Sequence, residues 1–194
     1  ELKKFAIRLL DYVGMSSKHL QRFPHEFSGG QRQRICVARA LSLNPKLMIC
    51  DEAVSALDVS IQAQILNLFK DLQKEFKLSY LFISHDMGVI RYISDRIAVM
   101  YLGRIVELAE KKELFTNPLH PYTKALLSAI PLPNPEMRQT RKPLEGEVPS
   151  PTKVYKGCPF AERCPDAIDQ CHNKVPQLKS FSPDHLVSCD LVKT

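Results

Sequence analysis

Tryptophan is absent from this chain, glycine occurs only seven times, and no glycine stands where a phosphate-cradling loop requires one. Such a loop reads G-x-x-x-x-G-K-[ST], with backbone N–H groups wrapping the phosphates and a lysine adding charge. Glycines 14, 29, 30, 88, 103, 146 and 157 all lack the following Lys–Ser/Thr pair. Long apolar runs are missing too. The longest covers residues 97–102, whereas a helix that crosses a bilayer needs about 20 apolar residues. No basic start leads into an apolar signal core. The expectation is a cytoplasmic chain whose membrane contact goes through a partner. Charge of one sign is not concentrated either. Lys+Arg minus Asp+Glu is 18−13 = +5 over residues 1–135 and 9−8 = +1 over 136–194. Without a basic block, a nucleic-acid partner is not expected.

Proline is scarce in the first 117 residues, and twelve of its fourteen occurrences lie between Pro118 and Pro183. It fixes φ and removes a backbone donor, so long helices and central strands belong before this boundary. The chain begins at Glu1 in helix-like sequence without an initiating Met, and the expectation is the C-terminal portion of a longer protein.

Hydrophobic periodicity predicts helices over 2–13, 29–43, 60–77 and 86–94, with Ile61, Ile65, Leu68, Leu72 and Phe76 giving the clearest 3.6-residue period. Apolar runs predict strands over 46–50, 79–84, 97–101 and 105–108. Strand, helix, strand implies a parallel βαβ unit and an α/β class. The tail shows one helix signal, 122–130, then an extended linker over 133–157 and a cysteine-bearing segment over 158–189.

Three constellations carry chemistry. Ser28-Gly29-Gly30-Gln31 opens a helix, where two glycines permit close backbone approach and free N–H groups favour an anion; an ordinary serine cap is the plain alternative. Asp51 and Glu52 end an apolar strand, at the edge where α/β sheets place their ligands. Asp51 is suited to Mg²⁺ through water, and Glu52 to polarising an attacking water. His85 follows the neighbouring strand, and if the two strands are adjacent its imidazole shares that edge with Glu52. Asp58, before the 60–77 helix, reads equally as a helix cap.

In order and spacing these pieces resemble the ATP-binding-cassette ATPases. Phe27 through Gln31 is similar to their Leu-Ser-Gly-Gly-Gln signature, with Phe27 replacing the leucine. Leu47–Asp51 resembles Walker B, Glu52 the catalytic glutamate, Ser55–Asp58 the D-loop and His85 the switch histidine. Ala53 departs from the more usual proline. The implied fold is the C-terminal part of an ABC-type nucleotide-binding domain, a parallel βαβ core plus a helical signature region, with an irregular Cys-rich C-terminal extension. The implied organisation is 1–45 (end of the helical subdomain and signature helix), 46–116 (Walker B and switch-histidine core) and 117–194 (extension). Asn117-Pro118-Leu119-His120-Pro121-Tyr122-Thr123, Gly146–Pro151 and Cys158-Pro159-Phe160 resemble the extension of oligopeptide and dipeptide permease ATPases. Residues 51–64 lean towards the F-type of the two paired subunits.

The resemblance implies ATP and Mg²⁺ as cofactors and a second ATPase subunit, in a heterodimer, as partner. Transmembrane permease subunits and, indirectly, a peptide-binding protein follow, with peripheral attachment to the cytoplasmic face of the membrane. Ser28, Gly29, Gly30 and Gln31 would meet the γ-phosphate of the partner's ATP, Asp51, Glu52 and His85 would serve this subunit's own nucleotide, and Asp58 would cross the interface. Without its phosphate loop the fragment is expected to be inactive alone and to aggregate through an unpaired sheet edge.

The tail cysteines, 158, 164, 171 and 189, are spaced C-x5-C-x6-C-x17-C. Disulfides do not suit a cytosolic chain, and zinc prefers closer pairs. Four thiolates suit a [4Fe–4S] cluster, which the resemblance supports since some family members carry one; zinc and unligated thiols remain the alternatives. His172 and His185 are runner-up ligands. Cys36 and Cys50 are expected to be small buried hydrophobes. A competing function is an iron–sulfur interaction module with a non-catalytic ATPase remnant.

Overall fold

The computed structural model describes residues 1–130, 149–150 and 154–192, and the chain divides into two compact units, Glu1–Ile93 and Ser94–Thr194. The first unit begins with α1 (Leu2–Tyr12), whose Leu10 is buried. Gly14, at φ +68°, ends this helix, in the left-handed region where glycine carries no Cβ penalty. Met15 N–H then donates back to Leu10 O at 2.8 Å, which satisfies a carbonyl that the helix end would otherwise orphan. After two short 3₁₀ turns, α2 (Gly29–Leu41) starts at Ser28 and buries Val37, Ala38 and Leu41. It leads into β1 (Leu47–Asp51), α3 (Val59–Phe76), β2 (Ser79–Ile83) and α4 (Met87–Ile93).

β1 and β2 pair in parallel, with Leu47 opposite Ser79 and Asp51 opposite Ile83. The crossover helix α3 has the length and period its sequence predicts. Ile65, Leu66, Phe69 and Leu72 are its buried stripe, and Phe69 meets Tyr80 and Phe82 edge-to-face at 5.4 and 5.6 Å. Met48 and Cys50 point into the core formed with this stripe. The opposite sheet face carries Leu47, Ile49, Leu81 and Ile83, all exposed.

The second unit is built on a four-stranded antiparallel sheet in the order β3-β4-β6-β5, comprising β3 (Arg96–Tyr101), β4 (Arg104–Glu110), β5 (Lys179–Ser182) and β6 (His185–Val187). Tyr101 pairs with Arg104, so Leu102 and Gly103 form a two-residue turn, and both have positive φ, +44° and +75°. That is the backbone a tight hairpin needs to match strand twist. Helices α5 (Lys111–Thr116), α6 (Pro121–Ser128) and α7 (Asp169–Asn173) complete the unit. Phe160 is its aromatic centre, packed against Tyr101 at 5.2 Å and Tyr122 at 5.4 Å.

Two expectations need correction or extension. Cys36 is exposed, although Cys50 is buried as expected; the α2 stripe runs through Val37, Ala38 and Leu41 instead. The tail also contributes β5 and β6, which periodicity did not find. With three and four residues they are too short to show alternation, and β6 exists because β4 offers it hydrogen bonds at Glu107 and Leu108. Most of the 133–157 linker and of the Gly146–Pro151 motif lies outside the described residues.

Candidate active site

The parallel register brings the C-terminal ends of β1 and β2 together, and with them Glu52 and His85. Glu52 N–H donates to Ile83 O at 3.0 Å, adding one more rung beyond Asp51. The backbone then turns sharply, with Glu52 at φ +48°. A non-glycine residue pays about 1–3 kcal/mol for such a conformation, a cost found most often at functional sites. Ser55 holds the turn, its N–H and Oγ–H both donating to Glu52 O, at 3.3 and 3.0 Å. On the neighbouring strand, Ser84 Oγ accepts from Asp86 N–H, and Asp86 Oδ1 accepts from Gly88 and Val89 N–H. These bonds fix the turn that carries His85.

His85 Nδ1 lies 2.9 Å from Glu52 Oε1. The hydrogen bond and charge of Glu52 raise the imidazole pKa above its usual 6.5, with a smaller push from Asp86. Both side chains remain open to solvent, with relative exposures of 77% for His85 and 40% for Glu52. An acid and an imidazole that share one proton-bearing contact, and that water can reach, form a unit able to orient and polarise a water molecule. Asp51 is exposed beside them at the end of β1. Its carboxylate has the hard oxygen chemistry that Mg²⁺ takes.

Ser28 and Gln31 form a reciprocal cap on α2. Gln31 N–H donates to Ser28 Oγ at 3.3 Å, and Ser28 N–H donates to Gln31 Oε1 at 3.1 Å. The cap reading and the anion reading are both compatible with this geometry. The box occupies these two donors, while the N–H groups of Gly29 and Gly30 belong to the first helical turn, which has no intrahelical acceptors. Asp58 caps α3, accepting from Ile61 N–H at 2.9 Å.

In the second unit, Cys158, Cys164, Cys171 and Cys189 all line one largely apolar cavity, together with His120 and Phe160. All four are free thiols. Burial is the main cause that raises the Cys158 and Cys164 thiol pKa values, and nearby cysteines add to it. Four soft sulfur donors on one cavity fit the chemistry of a thiolate-bound metal group. Among the described residues, however, no three His, Cys, Asp or Glu side chains are placed to hold a single metal ion. His172 is not among the cavity residues, and neither is His185.

His185 has another occupation that sequence reading missed. Glu107 and His185 are fully buried, and His185 Nε2 lies 2.7 Å from Glu107 Oε1. Glu107 Oε1 also accepts from Leu119 N–H at 2.8 Å, and Oε2 from His120 N–H at 2.9 Å. His185 Nδ1 stands 3.5 Å from Glu113 Oε1, too far for a good hydrogen bond. His120 is itself buried, and desolvation lowers its pKa to about 4. The available signal for this cluster was an acid inside the apolar run 105–108.

Comparison with known proteins follows the same division. The model of the ABC transporter family matches residues 3–55, and that of the "Oligopeptide/dipeptide transporter, C-terminal region" matches residues 106–171. The chain is similar to the oligopeptide transport ATP-binding protein AppF of Bacillus subtilis, 56% identical over 185 residues, covering 94% of this chain and 56% of the relative. It thus spans little more than half the length of that relative. Among solved structures it resembles the ADP conformation of an ATP-binding cassette of an ABC transporter, with a TM-score of 0.54 and 26% identity, covering 61% of this chain and 48% of that one.

Proposed function

The chain belongs to the ATP-binding-cassette ATPases of the oligopeptide permease family, and on that premise we propose that it forms the hydrolytic half of a subunit that powers peptide import. The observation that carries this reading is the Glu52–His85 contact at the shared end of β1 and β2. In the proposed mechanism Asp51 would hold Mg²⁺, which when bound would neutralise charge building up on the phosphates. Glu52 polarises the attacking water, and His85 keeps the carboxylate oriented while presenting its remaining ring nitrogen towards the γ-phosphate. Ser28, Gly29, Gly30 and Gln31 face the nucleotide held by a second ATPase subunit, and Asp58 lies at that interface. Catalysis on this plan is positioning and charge stabilisation rather than covalent chemistry.

The partners proposed are a second, non-identical ATPase subunit, with this chain as the F-type member, and transmembrane permease subunits that receive the motion. A peptide-binding protein acts indirectly, and the subunit sits peripherally on the cytoplasmic face. Among the described residues no helix is long and apolar enough to cross a membrane, so attachment through those subunits is the route the reading requires. Residues 1–194 supply no phosphate loop, and on this reading they neither bind ATP tightly nor hydrolyse it alone. In the complete transporter, Glu52→Gln should lower turnover by about 10²–10⁴-fold and leave ATP binding intact. Undiminished turnover would overturn the reading.

For the tail we propose that Cys158, Cys164, Cys171 and Cys189 hold a [4Fe–4S] cluster, supported by their convergence on one cavity. The cluster would staple a segment with little core of its own, as small units often require. Iron and acid-labile sulfide should be stoichiometric with the anaerobically purified subunit and be lost in Cys171→Ser.

A further inference from the structure

The two glycines of the signature turn do not face the same surroundings. Gly29 is exposed, whereas Gly30 is buried. A Cβ added at Gly29 would lie 3.3 Å from Leu57 Cδ2, a tight contact that a small shift relieves. A Cβ at Gly30 would come within 3.0 Å of Ile61 Cγ2, closer than real Cβ atoms approach other atoms. Ile61 stands in the first turn of α3, three residues after Asp58, whose carboxylate accepts its N–H. A β-branched side chain in a helix is held to one χ1 rotamer, so Cγ2 has nowhere to swing.

We propose that Ile61 is a positioning residue for the signature turn: the packing of α2 against Ile61 requires the residue at position 30 to be a glycine, whereas at Gly29 the absent side chain serves the approach of the nucleotide. This rests on the functional reading above and divides the labour of its glycine pair. It also gives a physical route between two parts that serve different nucleotides. The Glu52 turn is held by Ser55, Leu57 N–H donates to Val54 O at 3.2 Å, Leu57 packs on Gly29, and Ile61 packs on Gly30. A displacement of the D-loop therefore reaches the signature backbone through side-chain contact, along residues at the margin of the core.

The test is a set of variants in the complete transporter, read by ATP turnover and by thermal unfolding of the subunit: Gly30→Ala, Gly29→Ala, Ile61→Ala and the two double variants. Gly30→Ala should lose at least about tenfold in turnover or unfold at lower temperature, since the clash cannot relax. Adding Ile61→Ala should restore most of that loss, because the obstructing methyl is gone. Gly29→Ala should lose turnover with little change in unfolding temperature, and Ile61→Ala should not restore it. Three results would overturn the inference: Gly30→Ala matching wild type in both measurements, a Gly30→Ala/Ile61→Ala double that recovers neither, or Ile61→Ala rescuing both glycine variants equally. A Glu52→Gln control separates the two claims. If that control keeps full turnover the functional reading fails, and the unfolding temperatures still decide the packing claim.

Discussion

His85 and Glu52 lie thirty-three positions apart in sequence, and each alone is an unremarkable polar residue after a strand. Their contact makes the difference. A carboxylate beside an imidazole favours the protonated ring, and the His85 pKa is accordingly raised. A raised folded value means that the ionic part of this pairing is fully present below pH 6.5 and is lost as pH climbs through the raised value. Titration of the His85 ring protons by NMR in the complete subunit should therefore give a midpoint above 6.5. In Glu52→Gln the midpoint should fall back toward that value, and an unchanged midpoint would remove the proposed coupling. Asp58 teaches a related lesson. Its side chain caps α3 whatever else it does, so a substitution there loses a cap, worth about 1 kcal/mol of stability, and a loss of turnover without further loss of stability would support the proposed interface role.

At the scale of elements, α3 and β2 were legible in sequence because a buried stripe of 3.6-residue period and a short apolar run are local patterns. β5 and β6 were not, since β6 pairs with β4, about 75 residues away, and β5 pairs only with β6. What anchors them is the Glu107 carboxylate, which gathers the N–H groups of Leu119 and His120 and the ring of His185. It ties β4, the turn before α6 and β6 together at one buried point. Removing one partner of a buried charged network costs about 3–5 kcal/mol, because the others are left unsatisfied. Glu107→Ala should destabilise the second unit by that order in denaturant unfolding and expose the cysteine segment to protease. Glu107→Gln, which keeps an acceptor oxygen, should cost less. Equal stability of Glu107→Ala and wild type would show that the cluster is not the anchor.

At the scale of the whole molecule, the described residues cover the parallel pair β1–β2 on one face only. Leu47, Ile49, Leu81 and Ile83 are 55%, 64%, 52% and 44% exposed, a contiguous apolar surface of the kind that a soluble chain covers with another element or a partner. Among the described residues the same two strands have no further strand on either edge. Residues 1–194 expressed alone should self-associate, visible as rising light scattering at micromolar concentration. Ile49→Thr with Leu81→Thr should reduce that scattering while leaving the buried face intact. A monodisperse wild-type fragment would contradict this reading of the face.

The order of the motifs, the period of α3 and the apolar strands were determined by the sequence alone, because each is a local pattern that backbone geometry turns directly into an element. Convergence was not. The placing of Glu52 against His85 depends on a parallel register, the burial of Gly30 depends on where Ile61 projects, and the Glu107 cluster depends on a strand that pairs only in the folded chain. Those are long-range contacts, and only tertiary structure decides them, since nothing in the spacing of residues along a chain specifies which side chains meet across it.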